Sequence, residues 1–273
     1  MATCTLDVAS VPGASSAADA LTALAGEAWG HAVAGERLEA GATWAEQLAR
    51  WGDRVWLAGR GPGLHGLPPW NLAATDEDLR RRALAEAGEV LRAAAGRGAS
   101  HHLLPAGWAV PGPPGGGGTV AWSQALEQLC RSLDAVATLA DARGIRVSLI
   151  LQGPGPDRRL GAHWQELAGV LARLGAPPLG VLADLDAHVA AAARRDDAPL
   201  PELAALAPWL HGVRITAAHG ALMNPDHPCT QLVTRLPAPP EAVVMAPQGL
   251  DRPALRAVLA AARAGWPPPG ATG

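Results

Sequence analysis

The chain lacks several residue types altogether. It contains no lysine, tyrosine or phenylalanine, so its 22 basic residues are all arginine and its ten tryptophans supply the aromatic rings. We attribute this skew, together with the excess of alanine, glycine and proline, to coding bias and infer no function from it. The formal net charge of −3 provides no positive field that would attract a polyanion, so we expect no nucleic-acid partner.

Cysteine is scarce, and long apolar runs are missing. The three cysteines, Cys4, Cys130 and Cys229, are widely separated and lack any paired metal spacing. Cys130 falls on the apolar face of a predicted helix, where a buried thiol acts as a small hydrophobic group. There is no run of 18 apolar residues, and the N-terminus lacks the basic and apolar regions of a signal peptide. We therefore expect a cytoplasmic protein with no membrane partner.

What the chain does contain is an alternation of short apolar runs and amphipathic helices. The clearest stretch is a strand at Ile145–Leu151, a helix near His163–Leu174 and a strand at Leu179–Ala183. Such alternation buries strands on both faces and predicts a parallel sheet. Eight units in about 250 residues match the length of a closed barrel. We predict a single-domain α/β protein, a (β/α)8 TIM barrel over residues 1–265, with a disordered tail over 266–273.

Local signals place several further segments. Thr75 is predicted to cap a helix whose apolar face includes Leu79. The Arg80–Arg82 run falls on the polar side of this helix and is interpreted as a solvated face. The glycine-rich stretch Pro111–Gly118 lacks the Lys-Ser/Thr pair of a phosphate loop and is predicted to be a mobile loop. Ala217–Leu236, the irregular exit from strand seven, is predicted to form a lid or a binding loop.

Polar residues follow the ends of several predicted strands, which is where this fold places its chemistry. Gln152 follows strand five and Asp184 follows strand six. His65, His188 and His227 also follow strand ends, where histidine supplies acid–base chemistry near neutral pH or simply lies on a solvated rim.

Two interpretations of Asp184 stay open. It is a functional carboxylate at a strand end, or it caps the next turn or pairs with Arg214. Arg214 itself can bind Asp184 or hold an anionic substrate through two donors. Trp70 and Trp108 follow strands three and four, where they either form the wall of a substrate pocket or fill the core.

Seven segments after strands three to eight follow one another in a characteristic order. They are His65–Ala74, Leu103–Gly107, Leu149–Gly155, Gly180–His188, Val213–Gly220, Asn224–Pro228 and Val243–Ala246. Together, across roughly residues 54–262, they resemble the motifs of the xylose isomerase-like TIM barrels. That superfamily includes sugar isomerases and epimerases, hydroxypyruvate isomerase, dehydroshikimate dehydratase and endonuclease IV.

The resemblance implies a divalent metal held by Glu, Asp, His and Glu at the ends of strands five to eight. The matching positions here are Gln152, Asp184, Arg214 and Ala246, so Asp184 is the only anionic metal ligand left among the four. A Gln carbonyl is a weaker ligand for a hard cation, and Arg214 places a positive charge where the metal would bind. We therefore expect no cofactor, with Asp184 as a ligand only if Mn, Mg or Zn binds.

The resemblance implies a sugar isomerase/epimerase-like barrel that acts on a small polyhydroxylated or oxo-acid metabolite. The reaction would be proton transfer next to a carbonyl, with an altered or absent metal site. The predicted base is Asp184, His65 or His188, and Arg214 is the other predicted catalytic residue. The predicted substrate-binding residues are Gln152, Trp70, Trp108 and His227.

Two other functions stay open at this point. One is a non-catalytic barrel that binds a metabolite or a partner, which the missing metal ligands favour. The other, metal-dependent phosphodiester cleavage of the endonuclease IV type, is disfavoured by the acidic balance and by the same missing ligands.

Overall fold

A computed structural model of the chain describes its eight strands, seven of its helical segments and the turns beside them. The described residues are 3–7, 31–34, 55–59, 71–96, 101–107, 109, 118–151, 160, 164–195, 199–215, 226–237 and 242–245.

The sheet consists of eight parallel strands. Their bounds are β1 Thr3–Asp7, β2 His31–Ala34, β3 Val55–Gly59, β4 His101–Pro105, β5 Arg146–Leu151, β6 Leu179–Asp184, β7 Leu210–Ile215 and β8 Ala242–Met245. The strand order is β3-β2-β1-β8-β7-β6-β5-β4, and Cα atoms of β3 and β4 approach within 8 Å to close the circle. The protein is therefore the predicted α/β TIM barrel, and β5 and β6 each lie within one residue of their predicted bounds.

Helices cover the outside of the barrel. Their bounds are α1 Glu77–Ala95, α2 Gly118–Asp141, α3 Trp164–Leu174, α4 Leu185–Arg195, α5 Pro199–Ala205 and α6 Pro228–Thr234, with a short 3-10 helix at Ala207–Trp209. They bury apolar faces against the strands, as the spacing predicts. Leu91 of α1, Leu133 of α2 and Leu171 of α3 belong to one core cluster with Leu149 and Val181 of the sheet. Cys130 is buried in the same cluster, as predicted.

The start of α1 differs from the prediction. The cap is Asp76 rather than Thr75, because Asp76 has an extended backbone and its carboxylate accepts the N–H groups of Asp78 and Leu79. Leu79 is 43% exposed, so its assignment to the buried face was wrong.

The interpretation of Arg80–Arg82 as a solvated face is wrong for Arg80. Arg80 is buried, bonds Glu77 through two nitrogens at 2.9 and 2.7 Å, and donates to Ser132 Oγ at 3.2 Å. Ser132 in turn donates to the carbonyl of Leu72 at 2.7 Å. The prediction of a solvated side chain is confirmed for Arg81, which is 70% exposed. Arg80 therefore joins α1 to α2 rather than facing water.

Two predicted loops contain helical residues. Gly118 begins α2, whereas the remainder of Pro111–Gly118 lies outside the described residues. Within Ala217–Leu236, the segment predicted as a lid or a binding loop, Pro228–Thr234 forms α6, whose Cys229, Leu232 and Val233 are buried. Burial of these apolar side chains stabilises a short helix in a segment whose irregular composition suggested a loop.

The domain boundary at 265 and the tail at 266–273 lie outside the described residues and stay predictions. Among the helices that the structure describes, none combines the length and the apolar character needed to cross a membrane.

Candidate active site

The carboxyl ends of β6 and β7 bring together one acidic and one basic side chain. Asp184 and Arg214 are the last paired residues of the β6–β7 ladder. Partners in a parallel ladder project to the same face of the sheet, so the two side chains meet. Arg214 Nη1 donates to Asp184 Oδ2 at 3.2 Å. The alternative interpretation of Asp184, as a partner of Arg214, is therefore confirmed.

Asp184 also caps the helix that follows it. Its Oδ1 accepts the backbone N–H of Ala187 in the first turn of α4 at 3.0 Å. Burial raises the pKa of the Asp184 carboxyl above its ordinary value, opposed by the Ala187 N–H and by the charge of Arg214. The result is a desolvated carboxylate that takes up a proton more readily than an ordinary aspartate does.

The two partners differ in how far water can reach them. The side chain of Asp184 is 10% exposed, whereas that of Arg214 is 28% exposed. Solvent therefore reaches the guanidinium more readily than the carboxylate.

Asp184 and Arg214 are the two described positions of the four in the family motif, and their contact does not fit the metal that the motif implies. Oδ2 of Asp184, the one anionic ligand kept at the four positions, is bonded to a fixed cation. A divalent ion at that oxygen would be repelled by the guanidinium at close range. Among the described residues, no group of three or more His, Cys, Asp or Glu side chains is arranged to hold a metal ion.

His188 lies in the first turn of α4 and is buried. Its Nε2 is 3.6 Å from Oε2 of Glu202 in α5. This contact joins two helices outside the sheet, so the structure gives His188 a carboxylate partner of its own.

His227 is the N-cap residue that immediately precedes α6. Its Nδ1 accepts the backbone N–H of Cys229 at 3.3 Å. A ring nitrogen that accepts carries no proton, so any proton on a neutral His227 is on Nε2. His227 is partly exposed and precedes the buried Cys229.

Sequence reasoning missed one contact close to this site. Cys229 Sγ donates to Oδ1 of Asp186 at 3.6 Å and joins α6 to α4. Burial and the charges of Asp186 and Asp184 raise the pKa of the Cys229 thiol, which is therefore a protonated donor rather than a nucleophile. Nothing in the sequence could have shown this contact, because the two residues have no motif spacing.

The other predicted site residues are not brought together by anything the structure describes. Gln152, His65, Trp70 and Trp108 lie outside the described residues, as does Ala246 at the fourth position of the family motif.

Comparisons with known proteins agree with the barrel. The chain resembles a 3-keto-D-glucoside 4-epimerase from E. coli at 14% identity, with a TM-score of 0.67 over 96% of this chain and 98% of the other. It resembles a D-psicose 3-epimerase from Clostridium cellulolyticum at 15% identity, with a TM-score of 0.70 over 96% and 97%. A xylose isomerase domain protein from Alicyclobacillus acidocaldarius gives 21% identity and a TM-score of 0.61 over 96% of both chains.

At these identities the solved structures establish the fold alone. No curated protein sequence matches the chain. The sequence model of one family, described as the xylose isomerase-like TIM barrel, matches residues 27–234. The chain therefore belongs to the xylose isomerase-like TIM barrel family.

Proposed function

We propose that this barrel is a sugar isomerase/epimerase-like enzyme that acts on a small polyhydroxylated or oxo-acid metabolite. The single observation that carries the proposal is the contact between Asp184 and Arg214 at the carboxyl ends of β6 and β7. In a TIM barrel this end holds the active site. The pair supplies a carboxylate that can take a proton and a cation that can stabilise negative charge. The fold similarity to sugar epimerases supports the same reaction class.

Asp184 is the proposed base. It removes a proton from the carbon next to a substrate carbonyl. The electrons of the broken C–H bond form a C=C bond, and the π electrons of the carbonyl move onto its oxygen. Its raised pKa makes it a stronger base than an ordinary aspartate. Return of the proton to the former carbonyl carbon, with transfer of the hydroxyl proton from the neighbouring oxygen to the former carbonyl oxygen, isomerises the substrate. Epimerisation needs a second group that delivers a proton to the opposite face of the same carbon, the role proposed for His65 or His188.

Arg214 is the proposed electrostatic partner. The intermediate left by proton removal is an enediolate with negative charge on oxygen, and a guanidinium N–H at the barrel mouth stabilises that charge. Gln152 is proposed as a second donor to the same oxygen. Because Arg214 is the more exposed partner of the pair, it can reach a substrate oxygen while Asp184 stays desolvated.

The remaining predicted residues complete the proposal. His65 and His188 are the alternative proton-transfer groups, and the Glu202 carboxylate is the partner of His188. Trp70, Trp108 and His227 are proposed to contact the substrate.

No step in this proposal uses a metal. The family position that would hold it contains Arg214 bonded to Asp184, so we infer an altered metal site in which a protein cation stands in the place of the ion. Binding of Mn, Mg or Zn to Asp184 is an outcome that the experiment below can detect.

The test combines metal analysis with a substrate panel. Protein purified without added metal is assayed with aldoses, ketoses and oxo acids, and its Mn, Mg and Zn contents are measured. We expect turnover that survives EDTA and falls roughly 100- to 1,000-fold in Arg214→Gln. The control is Arg173→Gln, which removes an exposed arginine that pairs with Glu127 at 2.6 Å on the outer surface.

Two results would overturn the proposal. Stoichiometric metal that disappears in Asp184→Ala, with activity that depends on it, would restore a metal mechanism. An absence of turnover across the whole panel would favour a barrel that only binds a metabolite.

A further inference from the structure

Strand β7 contains one residue more than its neighbour β6 at the position of His211. Val181 of β6 pairs with Leu210, but the next residue, Leu182, pairs with Gly212. His211 is therefore the extra residue of a β-bulge. Bulges of this kind bend a strand and redirect the side chains that follow.

The face of the sheet that His211 occupies can be read from the pairing. Val181 and Ala183 belong to the core cluster that the helices cover. Side chains alternate along a strand, so Gly180 and Asp184 face the inside of the barrel. Ser148 of β5 pairs with Gly180 and shares that face.

The His211 ring lies across Gly180 on this inner face. Its Nδ1 is 3.0 Å from Ser148 Oγ, two strands away. A Cβ atom at Gly180 would overlap the imidazole ring, so glycine is what makes room for it. The ring of His101 contacts His211 edge to face, with a centroid distance of 5.7 Å. The ring is buried and fixed by three strands.

This arrangement decides which residue of β7 meets Asp184. If the pairing of Val181 with Leu210 continued without the extra residue, Asp184 would pair with Val213. A shift of one residue also reverses the face of every side chain that follows. Arg214 would then project toward the helices rather than into the mouth of the barrel.

We propose that His211 is a positioning residue whose ring, placed on Gly180 and bonded to Ser148, holds the bulge that brings Arg214 to Asp184. The role of the bulge in turnover rests on the proposed function, whereas its effect on the contact between the two side chains does not.

The first test uses Gly180→Ala, which places a methyl group where the ring lies. The measurement is the NMR signal of the Arg214 guanidinium, and Asp184→Ala, which removes the acceptor, supplies the reference signal of the broken pair. We expect the signal in Gly180→Ala to move to the Asp184→Ala position. The matched control is Gly169→Ala, at a helical position where the added Cβ meets nothing within 4 Å, and its signal stays that of the wild type.

A second variant keeps the inference testable if Gly180→Ala does not fold. Ser148→Ala removes the hydroxyl partner of His211 without adding volume, and we expect the Arg214 signal to move in the same direction by a smaller amount. A folded Gly180→Ala or Ser148→Ala protein with a wild-type Arg214 signal would overturn the inference.

The measurement separates the two proposals because it needs no substrate. If the Arg214 signal moves as expected but no substrate is turned over, the positioning role stands and the proposed function fails. If the wild type is active, we expect Gly180→Ala to lower kcat roughly 10- to 100-fold, as misplacement of a reacting group does.

Discussion

Asp184 and Arg214 are partners on neighbouring parallel strands, and the carboxylate of the first accepts a hydrogen bond from Nη1 of the second at 3.2 Å. Burial raises the pKa of the carboxyl, while the guanidinium lowers it. The protonation of Asp184 is therefore linked to the position of one arginine.

The pH dependence of activity should report the carboxyl of Asp184. A base must be deprotonated to act, so kcat/KM falls as the pH drops through its pKa. Removal of the Arg214 charge raises that pKa further, and in Arg214→Gln we expect the acid limb of the profile to move to higher pH. The profile of Arg173→Gln should match that of the wild type. An acid limb that stays in place in Arg214→Gln would show that another group is the base.

The buried ring of His101 should make the protein less stable in acid. Burial, followed by the nearby charges of His211 and Arg146, lowers the pKa of His101 from 6.5 to about 3. In the unfolded chain His101 binds a proton below about pH 6.5, whereas in the folded chain it does so only below about pH 3. Stability is therefore lost as the pH falls through this range. The loss is roughly 1.4 kcal/mol for each pH unit.

Urea unfolding at pH 7 and pH 4.5 measures this effect. Between those values we expect His101→Gln to lose about 2 to 3 kcal/mol less stability than the wild type. Equal losses in the two proteins would mean that His101 does not titrate as its burial implies.

Gly107 should be hard to replace for two separate reasons. Its φ is +96°, and a Cβ there would overlap Oδ1 of Asn71. That oxygen accepts the N–H of Ala73 at 3.0 Å and so orders the segment after β3. The control is Gly175→Ala, which has a φ of +57° but no atom within 4 Å of the added Cβ.

We expect Gly175→Ala to cost about 1 kcal/mol of unfolding free energy from backbone strain alone. Gly107→Ala should cost clearly more, because it adds a steric clash to that strain. Thermal or urea unfolding of the two variants would contradict this expectation if their losses were equal.

Arg80 and Arg81 are adjacent arginines with opposite surroundings. Arg80 is buried and bonds Glu77 and Ser132, whereas Arg81 is exposed and forms an ion pair with the same glutamate at 3.0 Å. Arg80→Ala should destabilise the fold by about 2 kcal/mol, since it removes buried charged hydrogen bonds. Arg81→Ala should cost less than about 0.5 kcal/mol. Similar losses in the two variants would contradict the burial of Arg80.

The fold could be predicted because each strand and helix carries its own periodic signal. Leu179–Asp184 is a continuous apolar run ending in a carboxylate, and it forms a fully buried strand at the predicted position. The exact cap of α1 could not be predicted, because Thr75 and Asp76 are both good capping residues. Which of the two caps the helix is decided by backbone angles that the sequence does not show.

The candidate site was predictable only in part. The sequence indicates Asp184 because it follows a predicted strand, and Arg214 because it matches a metal-ligand position of the family motif. Pairing of the two was one of the open alternatives. Their contact depends on the register of two strands, which is changed by the bulge at His211. Three separate strands supply the parts of this arrangement: the ring of His211, the space left by the missing side chain of Gly180, and the hydroxyl of Ser148. No local pattern in the chain connects them.

The most direct test of the account is the exchange of substrate hydrogen with solvent. The protein is incubated in deuterium oxide with the panel of sugars and oxo acids, and NMR follows the C–H group next to each carbonyl. We expect the wild type to replace that hydrogen with deuterium for at least one compound, and Asp184→Asn to lose the exchange. Exchange that continues unchanged in Asp184→Asn would rule out Asp184 as the base.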